Sequence, residues 1–226
     1  IRRNKDLKDL TNQNIKFNFS NQMLASISEA IKVSTEKKNK KKDNDTFYWS
    51  EGSLGFGTIF KTNSASKKKL ITNGLTFGAD KFDKNGGIKG LAFRLGKNEV
   101  NVGFSAGDLD TDTYNLTYYS TSPLKKNNRY LDTIIGVGVL KSDITNVLDG
   151  NRLHGDRNGK QIYGTLKLKN EIKKGEVTFI PAGQLDLGYT LLDSYSESGN
   201  TAMRFEDQSI QSKNVRLSVA AFDQLQ

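Results

Sequence analysis

Three groups of polar residues have types and spacings that could support chemistry. Asp108, Asp110 and Asp112 alternate in the run DLDTD like the first ligands of a calcium loop, but the glycine and glutamate that complete such a loop do not follow. His154 is the only histidine and cysteine is absent, which excludes a two-histidine metal site, a cysteine-ligated zinc and a thiol nucleophile. Glu197, in SYSESG, is better explained by contact with a basic residue than by acid catalysis. We therefore predict no catalytic residue, no metal, no cofactor and no enzymatic activity.

The excess of basic residues does not indicate a nucleic-acid partner. The net charge is +9, but much of the excess lies in three Lys-rich runs, at 37–42, 67–69 and 173–174, which fall in apparent connections. A nucleic-acid groove would instead interleave Lys and Arg with aromatic stacking residues. We predict no nucleic-acid partner.

From Phe47 onwards the apolar residues recur with a period of two. In KQIYGTLKLKNEI, at 160–172, Ile162, Leu166 and Leu168 fall on even positions, and polar residues fall on odd ones. Strict alternation predicts a β-strand with one apolar and one polar face. About eight such segments lie between 47 and 222, and 21 glycines against 2 prolines suit strands joined by turns.

The polar faces of these strands are poor material for a protein core, because they combine glycine with charged side chains. A water-filled lumen on that side, with lipid on the other, fits the pattern better and needs fewer apolar residues than a soluble sandwich. The hydrophobic fraction is only 35% and the mean hydropathy is −0.60. The residues predicted to face the lumen are Gly78, Asp80, Arg94, Asp132, Gly136, Gly138, Lys167, Asp186 and Gly188. The residues predicted to face lipid are Leu75, Phe77, Leu91, Phe93, Ile135, Val137, Ile162, Leu166, Leu168, Leu185, Leu187 and Leu191.

The predicted connections alternate in length, which is typical of a transmembrane β-barrel. Long loops are expected after the first, fifth and seventh strands, and the loop after the fifth spans 142–159. The connection after the third strand is expected to be longer than its neighbours if that strand ends near Gly103. The parity of the apolar residues changes near Gly96–Asn98, where we predict a bulge or tight turn. Aromatic residues near strand ends are predicted to form interfacial girdles: Tyr48, Trp49, Phe82, Tyr118, Tyr119, Tyr130 and Tyr189.

The residues before Phe47 carry a different pattern. Ser20 can cap a helix through 20–37, in which Met23, Leu24, Ile27 and Ile31 follow helical spacing. A Lys-rich linker follows. Because no signal peptide and no charge-free run of 18 apolar residues is present, we predict that the chain is a fragment of a longer protein.

Motifs in the second half of the chain resemble a known family. RNGKQIYGTLKLKNEI, then PAGQLDLGYTLL with Pro181 opening the seventh strand, then LDSYSESG resemble the C-terminal β-barrel translocator domain of autotransporters, the type V secretion proteins of Gram-negative bacteria. Tyr195, Glu197, Ser198 and Gly199 match the family's aromatic–x–Glu–(Ser/Thr)–Gly motif. Earlier, GLTFGADK at 74–81 and WSEGSLGFGTIF at 49–60 are similar to its second and first strands.

The resemblance implies an antiparallel outer-membrane barrel of about twelve strands. It implies a pore helix near 20–37 within a passenger remnant or linker at 1–45, and a translocator domain at 46–226 whose C-terminal strands are missing. The implied function is to anchor an upstream passenger and translocate it to the cell surface. The implied partners are outer-membrane lipid, the chain's own passenger, the barrel-assembly machinery and periplasmic chaperones.

Two alternatives stay open. One is a small eight-stranded outer-membrane barrel that acts as an anchor or adhesin. The other is a soluble β-barrel or sandwich that acts as a binding protein.

Overall fold

The computed structural model describes residues 46–59, 68–102, 107–124, 128–148, 150–199 and 202–223, and these form an all-β protein. Eight of the described strands are long and three are short. The long strands are β1 (Thr46–Ile59), β2 (Lys68–Phe82), β3 (Ile88–Val102), β4 (Gly107–Pro123), β5 (Arg129–Leu148), β6 (Asn151–Asn170), β8 (Val177–Leu192) and β11 (Gln208–Asp223). The short strands are β7 (Ile172–Lys174), β9 (Tyr195–Ser196) and β10 (Arg204–Phe205). The helix predicted near 20–37 lies outside the described residues.

The long strands form one antiparallel sheet in the order β1-β2-β3-β4-β5-β6-β8-β11, with β7 beside β8. Every long strand pairs with its neighbour in the chain, which is the up-and-down arrangement that hairpin connections produce. The eight predicted strands and the all-β class are thus confirmed. In the part of the chain that the structure describes, no helix has the length and apolarity needed to cross a membrane.

Strand β3 is continuous, so the predicted bulge at Gly96–Asn98 is wrong. Gly96 pairs with Gly74 on one side and with Thr113 on the other, and the register stays in step on both sides. Asn98 is buried and Val100 is half-buried on the same face. The apolar residues change parity because the outer face becomes polar at Lys97, not because the backbone breaks.

Two of the expected long loops are also wrong. β5 and β6 remain paired up to Leu148 and Asn151, so 142–159 is a strand hairpin and not a loop. Gly150 has a φ of 80°, a positive value that glycine adopts readily and that tight hairpin turns require. β3 ends at Val102 and β4 begins at Gly107, so the connection after the third strand is short as well. Polarity alone suggested loops here, because these strands lack the apolar alternation of the others.

Pro181 lies inside β8 and does not open it, since β8 begins at Val177. Pairing of β8 with β6 ends at Ala182, and pairing with β7 begins at Phe179. Pro181 therefore lies at the gap between β6 and β7. The N–H that proline lacks interrupts no hydrogen-bond ladder on that edge of β8.

Candidate functional site

The outer face of the sheet carries an apolar belt. All twelve residues predicted to face lipid point to this side, and each is between 37% and 54% exposed. On β3 the belt runs from Leu91 to Leu95 and is flanked by the exposed Lys89 and Lys97. An exposed apolar surface of this extent, bounded by charges, is not found on an ordinary soluble domain.

The inner face is polar and largely buried. Asp80, Arg94, Asp132 and Lys167 are each at most 3% exposed. The five glycine and aspartate positions that were also predicted to face inward lie on this face as well, buried or half-buried: Gly78, Gly136, Gly138, Asp186 and Gly188. The structure thus brings the nine predicted inward residues to one face.

Three aromatic side chains on the inner face lie across glycines of the neighbouring strand. Trp49 pairs in register with Gly78, Tyr119 with Gly90, and Tyr163 with Gly136. A Cβ at the three glycines would lie 2.2, 2.4 and 2.2 Å from the respective ring. Glycine at these positions is therefore a requirement of packing.

These contacts correct the prediction of aromatic girdles for three residues. Trp49, Phe82 and Tyr119 face inward, and Tyr119 is only 1% exposed. Trp49 Nε1 donates to Tyr119 Oη at 3.1 Å, and Tyr119 Oη donates to Asp80 Oδ2 at 3.0 Å. Period-two alternation places an aromatic residue on a face, but it does not say that a glycine stands opposite.

Inward residues form an apolar cluster at the end of the sheet that carries the β2–β3 and β4–β5 turns. Its members are Phe47, Phe82, Ile88, Ala92, Tyr119 and Ile134, with Trp49 packed against them. The wet lumen predicted from the sequence is therefore lined on this side by packed aromatic and aliphatic groups.

Arg94 links three strands of the inner face. Its Nη1 donates to Thr76 Oγ1 at 2.9 Å and its Nη2 donates to Ser53 Oγ at 2.7 Å. The guanidinium lies over Gly74, where a Cβ would be 2.3 Å from Nη2.

A second polar cluster lies on β5, β6 and β8. Lys169 Nζ is 2.6 Å from Asp132 Oδ2, and both side chains are almost completely buried. Nearby, Asp186 accepts hydrogen bonds from Thr165 at 2.8 Å and from Gln184 at 2.7 Å. The alternation in 160–172 placed both Lys167 and Lys169 on this face, but it gave no indication that Asp132 lies beside Lys169.

The connection between β8 and β11, residues 193–207 (hereafter the outer loop), is held against the β5–β6 hairpin by Arg157. Arg157 donates to the carbonyl of Asp193 at 2.8 Å, the carbonyl of Glu206 at 3.1 Å and Gln208 Oε1 at 3.1 Å. Its guanidinium carbon also lies 5.3 Å from the centroid of the Tyr195 ring. One side chain thus ties together both ends of the loop.

The four family-motif residues all contact this hairpin or complete the loop. Tyr195 lies over Gly155, where a Cβ would be 2.6 Å from the ring, and stacks on Phe205 at 4.7 Å. Glu197 is buried and accepts hydrogen bonds from Asn146 Nδ2 and the Met203 N–H. The Ser198 N–H donates to the carbonyl of His154 at 2.7 Å. Gly199 has a φ of 134°.

A comparison with protein families decides the identity of this arrangement. The model described as "Autotransporter beta-domain" matches residues 48–226. The chain belongs to the autotransporter β-domain family. The predicted family and outer-membrane localisation in a Gram-negative bacterium are thereby confirmed.

Solved autotransporter structures share the fold at low sequence identity. The translocator domain of autotransporter NalP from Neisseria meningitidis matches with a TM-score of 0.67 and 11% identity, over 84% of this chain and 66% of that chain. The β-domain of the Bordetella autotransporter BrkA matches with a TM-score of 0.59 and 14% identity, over 79% of this chain and 69% of that one. No curated protein sequence matches this chain.

Within the residues that the structure describes, this β-domain has no group of three or more His, Asp or Glu side chains suited to a metal ion. Asp108, Asp110 and Asp112 lie along one face of β4 and point outward, each beside a different residue of β5. They do not converge on a common point as calcium ligands must.

Removing Arg157 should release the outer loop of the β-domain. In Arg157→Ala we expect amide hydrogen exchange in 193–207 to accelerate about tenfold or more, because hydrogen bonds from a charged group contribute about 1.5 kcal/mol or more each. Arg152→Ala, an exposed arginine on the same strand, is the matched control. Equal exchange in both variants would show that Arg157 does not hold the loop.

Beyond the apolar belt of the β-domain, four acidic residues stand directly opposite one another on β3 to β6. Glu99 pairs with Asp110, Asp110 with Asp143, and Asp143 with Asp156. Partial burial and a hydrogen bond to Asp156 raise the pKa of Asp143. Like charges opposite each other destabilise a strand pair.

Asp143→Asn should therefore stabilise the β-domain at neutral pH. Because the folded-state pKa is raised above the unfolded value, the ionised carboxylate destabilises the fold above that pKa, and the penalty is relieved as pH falls through it. We expect the gain in the urea midpoint to disappear on acidification. Asp108→Asn, which removes the same charge at the outward position of β4 next to Asp110, is the control. An identical pH profile for both variants would show that the gain does not come from the four opposed acidic residues.

Proposed function

We propose that the chain is the membrane-embedded part of an autotransporter that anchors an upstream passenger and exports it to the cell surface. The observation that carries this proposal is the division of one sheet into an exposed apolar face and a buried polar face. Contact with lipid requires the apolar face, and passage of a polypeptide requires the polar face. The work is physical rather than catalytic: the barrel supplies a route and an anchor.

The twelve belt residues are proposed to contact lipid, and the nine inward residues are proposed to line the lumen. The exposure of the belt supports this assignment and disfavours a soluble binding protein, because such a surface would associate in water. Glycine at positions 78 and 136 gives the rings of Trp49 and Tyr163 room to lie against the sheet.

A charge placed in the middle of the belt tests the lipid contact. Leu166→Arg should destabilise the folded state in bilayers by about 2–4 kcal/mol, because the lipid face tolerates Arg poorly near the midplane. Asn158→Arg, on the same face and strand but beyond the belt, should cost much less. The measurement is the urea midpoint of folded protein in lipid vesicles; equal losses would argue against lipid contact.

We propose that further strands close the barrel between β11 and β1. In the described residues β1 pairs only with β2, and β11 pairs only with β8. The chain covers about two thirds of the two translocator domains that it matches, which leaves space for roughly four strands of a barrel of about twelve. Unsatisfied backbone groups at an open edge are not tolerated in the hydrocarbon region.

The N-terminal residues 1–45 are proposed to be the linker to the passenger, with the segment 20–37 as a helix inside the lumen. The passenger, the barrel-assembly machinery and periplasmic chaperones are the proposed partners. Family membership supports these proposals. Thr46, at the start of β1, lies at the same end of the sheet as the β2–β3 turn.

Surface display of the passenger tests the function. The full gene is expressed in Gram-negative cells, and protease added to intact cells should digest the passenger region while the β-domain stays protected and heat-modifiable on gels. If the β-domain folds in the outer membrane but the passenger stays inaccessible to the protease, export is rejected. Retention of a stable monomer in detergent-free buffer would reject the membrane assignment.

A further inference from the structure

The outer face has a groove centred on β8, at the end of the sheet where β7 replaces β6 as its partner. Its volume is about 580 Å³, which lies within the range of small-molecule sites, roughly 300–1,000 Å³. Pro181 and Gly183 of β8 form its floor, and Leu168 of β6 and Leu217 and Val219 of β11 form its walls. The three wall side chains are between 48% and 83% exposed. This cavity is hereafter the β8 groove.

The β8 groove stays open because two successive outward positions of β8 carry little side chain. Pro181 lies where β8 has lost β6 as a partner, and Gly183 has no side chain at all. A Cβ at Gly183 would lie 3.6 Å from Leu217 Cδ2, an ordinary contact, whereas a Cβ at Gly136 would lie 2.2 Å from the Tyr163 ring. Packing within the sheet therefore does not require glycine at position 183, and the glycine leaves space that a ligand can occupy.

One cation stands at the rim of the β8 groove. Arg129 begins β5, is exposed and pairs in register with Asn170, and both residues line the groove. Within the described part of the chain, the Arg129 guanidinium has no ion pair. Lys169 also lines the groove, but its ammonium lies on the inner face, 2.6 Å from Asp132. Of the described residues that line the groove, only Arg129 therefore offers a positive charge to a ligand.

The order of groups along the β8 groove matches that of a phospholipid. The row of Leu168, Gly183 and Leu217 lies two residues, or about 7 Å, closer to the middle of the belt than the row of Arg129 and Asn170. An apolar groove suits an acyl chain, and a guanidinium binds a phosphate through two parallel hydrogen bonds. A glycerophospholipid carries its phosphate directly above its acyl chains.

We propose that the β8 groove binds one glycerophospholipid of the surrounding membrane, with the phosphate on Arg129 and one acyl chain along Gly183. The site rests on the proposed lipid contact of the belt and adds a specific position to it. Charge complementarity selects the occupant, because an apolar protein segment in the same place would bury the Arg129 charge without an anion.

A second groove on the outer face lacks an available cation. It has a volume of about 690 Å³ and lies across β1 to β4, with Lys97 and Asp112 among its lining residues. Lys97 Nζ is 3.3 Å from Glu99 Oε1, and Lys97 also pairs in register with Asp112. Because this rim carries both signs of charge, it should show no preference for a phosphate, and it serves as an internal control.

Photolabelling of the full-length protein tests the site. The folded protein is held in an uncharged maltoside detergent, so that no other phosphate competes. It is exposed either to phosphatidylglycerol with a diazirine on one acyl chain or to a diacylglycerol with the same chain and no phosphate, and labelled residues are located by peptide mass spectrometry. We expect phosphatidylglycerol to label the region of Leu168 and Leu217 several-fold more than the diacylglycerol does. The second groove, at Leu75 and Leu95, should be labelled equally by both probes.

Two pairs of variants test the phosphate contact and the acyl-chain contact separately. Arg129→Gln should lower labelling of the β8 groove by phosphatidylglycerol several-fold, and Arg129→Lys should lower it less; Lys89→Gln, which removes an exposed outward cation at the same end of the sheet, should leave it unchanged. Gly183→Leu should also lower the labelling, because the new side chain fills the floor without a clash. Gly52→Leu, at an outward glycine with open space around it, is its control.

Each result supports the site or overturns it. Equal labelling near Leu168 and Leu217 by the two probes would overturn the phosphate contact, and that comparison needs no variant. Equal losses in Arg129→Gln and Lys89→Gln would assign the effect to net charge and would overturn the contact as well. A β8 groove that phosphatidylglycerol leaves unlabelled would reject a lipid occupant. The proposed function keeps its own tests, because the Leu166→Arg comparison in vesicles and passenger display do not depend on the groove.

Discussion

Gly136→Val should lower the stability of the folded domain by about 3 kcal/mol, the upper part of the range for overpacking a well-filled interior. Tyr163 lies across Gly136, and a Cβ there would be 2.2 Å from the ring. Tyr163 Oη is also hydrogen-bonded to Thr117 Oγ1 at 2.6 Å, which limits how far the ring can move. The measurement is the fraction of heat-modifiable, folded protein across a urea series in vesicles.

Gly52→Val is the matched control for Gly136→Val, because a Cβ at Gly52 meets no atom within 4 Å. It should cost little. Adding Tyr163→Ala to Gly136→Val should make the combined loss smaller than the sum of the two single losses, as expected for residues in contact. Additive losses would mean that the ring is not what excludes a side chain at this position.

Lys169→Met should cost about 3–5 kcal/mol, because it leaves the Asp132 carboxylate buried without its charge partner. The two side chains are 2% and 3% exposed and 2.6 Å apart. Replacing both partners, in Lys169→Met/Asp132→Leu, should recover most of the loss, since an apolar pair removes the unpaired charge. The same urea series measures both variants.

The exposed pair Lys97–Glu99 is the control for this effect. Its atoms are 3.3 Å apart and its side chains are 45% and 34% exposed. Lys97→Met should therefore cost far less than Lys169→Met. A comparable loss from both lysine variants would show that burial does not set the strength of the Lys169–Asp132 pair.

Period-two alternation was sufficient to predict the long strands and their faces. Ile162, Leu166 and Leu168 are exposed outward, as their parity predicted, because side chains of a strand alternate whatever the neighbouring strands contribute. Composition indicated which face of the sheet meets lipid, because the opposite face of glycine and aspartate is unsuited to a protein core. These inferences depend only on local chain geometry, which is why one sequence was enough.

Predictions that relied on polarity to find loops failed beyond the membrane belt. The hairpin formed by β5 and β6 is polar on both sides near Asp143 and Asp156, so nothing in its sequence alternates. This hairpin forms by backbone hydrogen bonds between its two strands. Such bonds do not depend on the hydropathy of the side chains. The supposed bulge at Gly96–Asn98 failed for the same reason.

By itself the sequence determined the all-β class, the two faces, the absence of cysteine chemistry and the resemblance to autotransporter β-domains. Only the tertiary structure decided which residue lies opposite which. Register places Tyr163 over Gly136 and brings Arg157 to both ends of the outer loop. These contacts join residues 27 to 51 positions apart. Their pairing is set by hydrogen bonding between whole strands, which no local pattern encodes.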